Sequence, residues 1–245
     1  MQTDLVTLDL KLAMKEPGCP ICRLRQKSEK RYLLGILREN VNDPATRAKI
    51  SKSLGFCPKH GWQLQHMEED IWHDGLGNAI IYQDLTRQVI SWLDSYSTIQ
   101  EQAQSDRLPK RIAGKVKRFL GRSSGGGEGV CPACAIGAQS EHIYLEWLVR
   151  WLPQPEFREL YESSDGLCLD HLRYALDIAE EEKPESVAIL IASALKKLKA
   201  LEEHLDGYIG KHSWHRHTEE MSREELESWK KAVAFFSGEE DICRR

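Results

Sequence analysis

Apolar positions recur along this chain at three- and four-residue intervals almost from end to end. Leu24, Tyr32, Leu33, Ile36 and Leu37 form one stripe. Leu76, Ile80, Ile81, Leu85, Val89, Trp92 and Leu93 form a second. Ile143, Leu145, Leu148, Trp151 and Leu152 form a third, and Ile189, Leu190, Ala194, Leu195, Leu198 and Leu201 a fourth. A helix brings residues three and four apart onto one face, so each stripe predicts an amphipathic helix with that face turned to a core. Alternating Val, Ile and Thr runs bounded by turn residues, the signature of strands, do not occur. The predicted class is all-α, with about four helices in each of two bundles.

The pattern is written twice. Cys19-Pro20-Ile21-Cys22 is followed by Cys57-Pro58-Lys59-His60, and Cys131-Pro132-Ala133-Cys134 by Cys168-Leu169-Asp170-His171. The two C-x2-C pairs stand 112 residues apart and the two C-x2-H pairs 111. Flanking residues keep the same offsets. Tyr32, Leu33, Ile36 and Leu37 match Tyr144, Leu145, Leu148 and Val149, and Pro44 and Arg47 match Pro155 and Arg158. Gly55-Phe56-Cys57 matches Gly166-Leu167-Cys168, and Leu93-Asp94-Ser95-Tyr96 matches Leu205-Asp206-Gly207-Tyr208. A fixed offset of this kind implies one structural unit used in tandem.

The composition of Ser123-Ser124-Gly125-Gly126-Gly127 marks a flexible join. The expected organisation is a first Cys3His module over 1–105, a basic connector over 106–123, a second Cys3His module over 124–210, and an appendix over 211–245.

Six of the seven cysteines belong to the repeated pairs, and this decides the candidate chemistry. A C-x2-C pair chelates one ion from a single turn, and a distant C-x2-H pair completes a tetrahedral set of three thiolates and one imidazole. Soft sulfur with borderline nitrogen suits zinc. The predicted metal ligands are Cys19, Cys22, Cys57, His60, Cys131, Cys134, Cys168 and His171, for two Zn2+ per chain, with an iron–sulfur cluster as the alternative. In three of the pairs a proline follows the first cysteine. Proline suits the first helical position, which places that cysteine at the N-cap, where the helix dipole favours a thiolate. Leu169 breaks this pattern in the fourth pair, although Asp170 keeps an acid in its first turn.

Charge adds the next constraint. The formal net charge is −4 and the isoelectric point about 6.2, which argues against a general nucleic-acid-attracting field. The connector is nevertheless basic, with Lys110, Arg111, Lys115, Lys117 and Arg118 interleaved with Ile112, Val116, Phe119 and Leu120 at helical spacing. Those side chains are candidate contacts for a nucleic acid, an anionic membrane or an acidic partner. The plainer expectation is a packed helix with a solvated basic face. Residues 1–15 lack the apolar core of a signal peptide, and no stretch has the roughly 18–20 apolar residues of a membrane span, so a cytoplasmic location is expected.

In the appendix, His212, Trp214, His215 and His217 form a cluster, read as a polar connector rather than a further metal site. Ser222-Arg223-Glu224-Glu225 is a capping box. It opens a helix with Leu226, Trp229, Val233 and Phe236 on one face, expected to cover the repeat core, with a partner-binding surface as the alternative. His66, His73 and His142 are read as ordinary side chains, and Cys243 as an exposed thiol.

The CPxC pair, the G-x-C-x2-H about 35 residues later and their repetition resemble a bacterial family of unknown function with tandem Cys3His zinc-binding motifs. The tail Lys211-His212, Glu219, Ser228-Trp229, Ala232-Val233 and Ser237-Gly238 carries the same likeness. The resemblance implies zinc binding and supplies no activity. No nucleophile elbow, phosphate loop or paired-carboxylate signature occurs. The expected role is therefore a zinc-binding helical scaffold or adaptor for another protein rather than an enzyme. A redox-responsive or iron–sulfur protein and a nucleic-acid-binding protein are the alternatives.

Overall fold

The structure is a computed structural model, and it describes residues 5–103, 129–213, 215 and 218–240. Among these every regular element is helical. The order is α1 (Leu5–Ala13), α2 (Pro20–Gly35) running on into a π-helical turn (Ile36–Asn40), α3 (Pro44–Lys52), α4 (Pro58–Trp72) and α5 (Leu76–Ala103). Then come α6 (Pro132–Trp151), α7 (Pro155–Ser163), α8 (Leu169–Glu182), α9 (Pro184–Lys211) and α10 (Arg223–Ser237). The four-helix order of α2–α5 thus recurs in α6–α9.

Six of these helices begin with a proline, whose fixed φ suits the first turn and whose missing N–H is one that the turn leaves unpaired anyway. Asp43 caps α3 by accepting from Thr46 N at 2.7 Å. Ser222 and Glu225 form the reciprocal capping box of α10. Gly55 and Gly166, each two residues before a ligand cysteine, take φ values of 101° and 82°. A side chain is strained in that region, so glycine is what lets the chain turn sharply into α4 and α8.

By contacts, the chain divides into a unit of 1–28 with 137–245 and a unit of 29–136. These limits do not coincide with the sequence repeats over 1–105 and 124–210. The first unit has a core of Leu10, Ile21, Leu24, Leu145, Leu148 and Phe157 with their neighbours. The core of the second comprises Leu33, Ile36, Ile50, Leu64, Ile81, Leu85 and Ala133.

The apolar stripes are only partly used. On α5, Ile81 and Leu85 are buried, whereas Leu76, Val89 and Leu93 are exposed. This helix is 28 residues long and the α4 against which it packs is 15, so Val89 and Leu93 lie toward the end that outruns its partner, while Leu76 sits at the helix start. Ile143 on α6 and Leu195 on α9 are exposed as well.

The C-terminal helix corrects its expectation more sharply. It does pack on α8 and α9, but Leu226, Trp229, Val233 and Phe236 remain 50%, 46%, 58% and 60% exposed. The docked face carries Glu225, Ser228, Ala232 and Phe235 instead. Lys211 at the end of α9 holds Glu225 at 2.7 Å, and Ser228 is fully buried with its hydroxyl donated to Glu225 O. That polar anchor turns the apolar stripe away from the core.

Candidate metal centres

Each C-x2-C and C-x2-H pair sits at the start of a helix. Cys57 and Cys168 are the N-caps of α4 and α8, with extended backbone at ψ 164° and 166°. Their carbonyls accept the first intrahelical bonds, from Gly61 N and Leu172 N. Cys19 and Cys131 do the same for Arg23 N and Ala135 N. The second ligand of every pair lies three residues further on. N-cap and N3 are the positions whose side chains meet in a capping box, and here they converge beside one another as candidate ligands. The missing proline at position 169 therefore changes nothing, because the N-cap geometry at Cys168 forms without it.

The eight predicted ligands come together in two groups, but across the repeats. Cys19 and Cys22 meet Cys168 and His171, while Cys57 and His60 meet Cys131 and Cys134. The sequence order suggested that each C-x2-C pair would close with the C-x2-H pair of its own repeat. The structure instead completes each centre with the other repeat's pair. Each centre lies wholly within one of the compact units.

In the first centre, His171 Nδ1 is 3.1 Å from Cys168 Sγ and 3.4 Å from both Cys19 Sγ and Cys22 Sγ, with Cys22 and Cys168 sulfurs 3.8 Å apart. In the second, His60 Nδ1 is 3.2, 3.3 and 3.6 Å from Cys57, Cys134 and Cys131, and the Cys57 and Cys134 sulfurs are 3.7 Å apart. A tetrahedral zinc with ordinary bond lengths separates its ligands by about 3.8 Å for S···S and about 3.5 Å for S···N. The donor sets thus have the edge lengths of a single-ion site. Each group could hold one metal ion.

Behind each histidine stands a carboxylate that the sequence reading missed. His60 Nε2 donates to Glu29 Oε2 at 3.1 Å, and His171 Nε2 faces Glu141 Oε1 at 3.5 Å. This leaves Nδ1 to face the sulfurs and fixes the tautomer a metal ligand needs. Glu29 and Glu141 also stand 112 residues apart, so the repeat offset was a signal that could have found them. Their own charges are balanced differently. Lys59 reaches Glu29 at 2.8 Å, while Glu141 is paired with the buried Arg25.

As protein groups alone, the clusters are strongly polarised. Burial works against charge on His60, but hydrogen bonds with Cys131 and Glu29 outweigh it and push the imidazole up to about 9. The same balance, with Cys168, Cys22 and Glu141, pushes His171 up to about 11. The hydrogen bond from Cys134, against burial and with the help of His60, brings Cys131 down to about 3. Cys168 is held well below the ordinary thiol value by Cys19 and Cys22, and burial raises Cys19 well above it. Close thiols cannot all ionise unless a cation takes up the charge.

The basic positions Lys110, Arg111, Lys115, Lys117 and Arg118 lie outside the described residues, as do Trp214, His217 and Cys243. His212 is described, and its Nδ1 donates to Tyr208 O at 2.8 Å. Among the described residues, no helix is long and apolar enough to cross a membrane.

Fold and donor geometry together define the class, an all-α protein carrying two candidate Cys3His metal centres. The chain belongs to the family of unknown function DUF6062, whose profile matches residues 1–241. It is also similar to the "Uncharacterized 23.9 kDa protein in xynA 3'region" of Caldicellulosiruptor sp. (strain Rt8B.4). The two are 25% identical over 228 residues, which cover 91% of this chain and 97% of that protein. No solved structure matches the chain.

Proposed function

We propose that this protein is a helical scaffold, built by duplication and stabilised by two zinc ions, that presents its surface to another protein. The ligands would be Cys19, Cys22, Cys168 and His171 for one ion and Cys57, His60, Cys131 and Cys134 for the other. The observation that carries the reading is that each group supplies four protein donors at single-ion spacing, three thiols and an imidazole backed by a carboxylate. Four protein ligands close the coordination sphere, the mark of a structural rather than a catalytic zinc. Within each group the ligand atoms all lie within 4.8 Å of one another. A cluster places bridging sulfides and two or more irons between its ligands, so some of those ligands must stand further apart. This spacing favours one ion over a cluster. The exposed stripe on α10 supports the adaptor part, since contiguous apolar surface of this kind marks interaction sites.

Elemental analysis with an absorption spectrum on anaerobically purified protein tests the metal. Two colourless zinc ions per chain are expected, and their removal should unfold the helices. Structural zinc supplies roughly 10–16 kcal/mol in small peptides, against a domain stability of about 5–15 kcal/mol. Metal-free protein with an undiminished helical circular dichroism signal would overturn the reading.

A further inference from the structure

The two candidate centres have the same donors but not the same cover. In the first, all four ligands are buried, with Cys19 5%, Cys22 0%, Cys168 4% and His171 3% exposed. In the second, only His60 is buried, and Cys57, Cys131 and Cys134 are each partly open to solvent.

The cover of the first centre comes from outside the repeat. After α10 the chain turns at Gly238, where φ is 72°. A Cβ there would lie 3.5 Å from Cys22 Sγ and 4.0 Å from Cys168 Sγ, so this backbone lies directly over the thiols. Glu239 Oε1 then accepts from Cys19 N at 2.9 Å, and Glu240 O accepts from Gln26 Nε2 at 2.6 Å. The tail thus clasps the turn that carries two of the ligands. From the other side, Asp165 accepts from Gly18 N at 2.7 Å.

Resting on the zinc reading above, we propose that the second centre is the exchangeable one. Its thiolates are where a soluble chelator or metal-accepting protein reaches the metal, and where an electrophile reaches sulfur. The first is a buried structural site, held under the Gly238–Glu240 clasp. Ligand exchange at a closed tetrahedral ion needs an incoming donor to approach the metal or displace a thiolate. Solvent-facing sulfurs permit that approach, and sulfurs under packed backbone do not. Reactivity of a thiolate follows its exposure as well as its charge.

The test starts from full-length protein whose metal content has been measured. It is then treated with a chromogenic zinc chelator and, in parallel, with N-ethylmaleimide followed by peptide mass spectrometry. One equivalent of zinc should leave in a fast phase, with alkylation at Cys57, Cys131 and Cys134. The second should leave in a separate, slower phase, with Cys19, Cys22 and Cys168 protected. Glu239→Ala, which frees the Cys19 amide, should speed the slow phase and leave the fast one unchanged. Release of both ions at one rate, or earlier alkylation of Cys19, Cys22 and Cys168, would overturn the inequivalence while leaving the zinc reading standing. An unchanged slow phase in Glu239→Ala would overturn the clasp. Protein that holds no zinc at the outset would overturn both readings together.

Discussion

Glu29 accepts the Nε2 hydrogen of His60 at 3.1 Å, and both side chains are almost fully buried. The contact turns Nδ1 toward three sulfurs. Loss of such an outer partner lowers metal affinity by about 10–100-fold. Glu29→Gln keeps an oxygen to accept the Nε2 hydrogen but removes the negative charge that raises ligand basicity. Competition titration with a chelator of known affinity should show the zinc affinity of the centre that contains His60 falling by that factor, with the other unchanged.

The exchange of ligands between repeats is tested by counting metal in double variants. Cys22→Ser with Cys168→Ser strikes one centre twice and should leave one zinc per chain. Cys22→Ser with Cys57→Ser strikes both and should leave none tightly bound. Closure within each repeat predicts the reverse, one ion for the second variant and none for the first.

Arg25 and Glu141 form a buried pair, and Glu141 also faces His171. Removing one member of a buried pair costs up to about 3–5 kcal/mol, and here Glu141 keeps its place beside His171. Arg25→Ala should lower the denaturation midpoint accordingly.

Gly55 adopts a φ of 101°, and a Cβ there would meet Leu85 Cδ1 at 3.3 Å. Gly55→Ala should cost about 1–3 kcal/mol, the range for strained backbone, read from urea denaturation. Gly75, with nothing within 4 Å of an added Cβ and no positive φ, is the control that should tolerate alanine.

Ser222 caps α10 by accepting from Glu225 N at 3.1 Å. Its replacement by alanine removes a cap worth about 0.5–2 kcal/mol. Hydrogen exchange should quicken across Arg223–Ser237, and faster zinc loss from the buried centre should accompany it.

Much of this architecture was legible in the chain before any packing was known. Helical class followed from apolar periodicity, because a helix must bury one face. Helix starts followed from proline and the capping residues, because those effects act within one turn. The identity of the eight clustered side chains followed from spacing, since two ligands three residues apart need only local backbone to converge. What the sequence could not decide was pairing. Both C-x2-C pairs and both C-x2-H pairs are chemically equivalent, and nearly equal offsets allow either closure. Only the packing of helices from distant parts of the chain selected the crossed arrangement. Tertiary structure likewise decided that Glu29 and Glu141 stand behind the histidines, and that a polar anchor at Ser228 and Glu225 turns the stripe on α10 outward. It also placed Gly238 over one centre and left the other partly open. Each of these depends on which surfaces meet, a question that local periodicity does not pose.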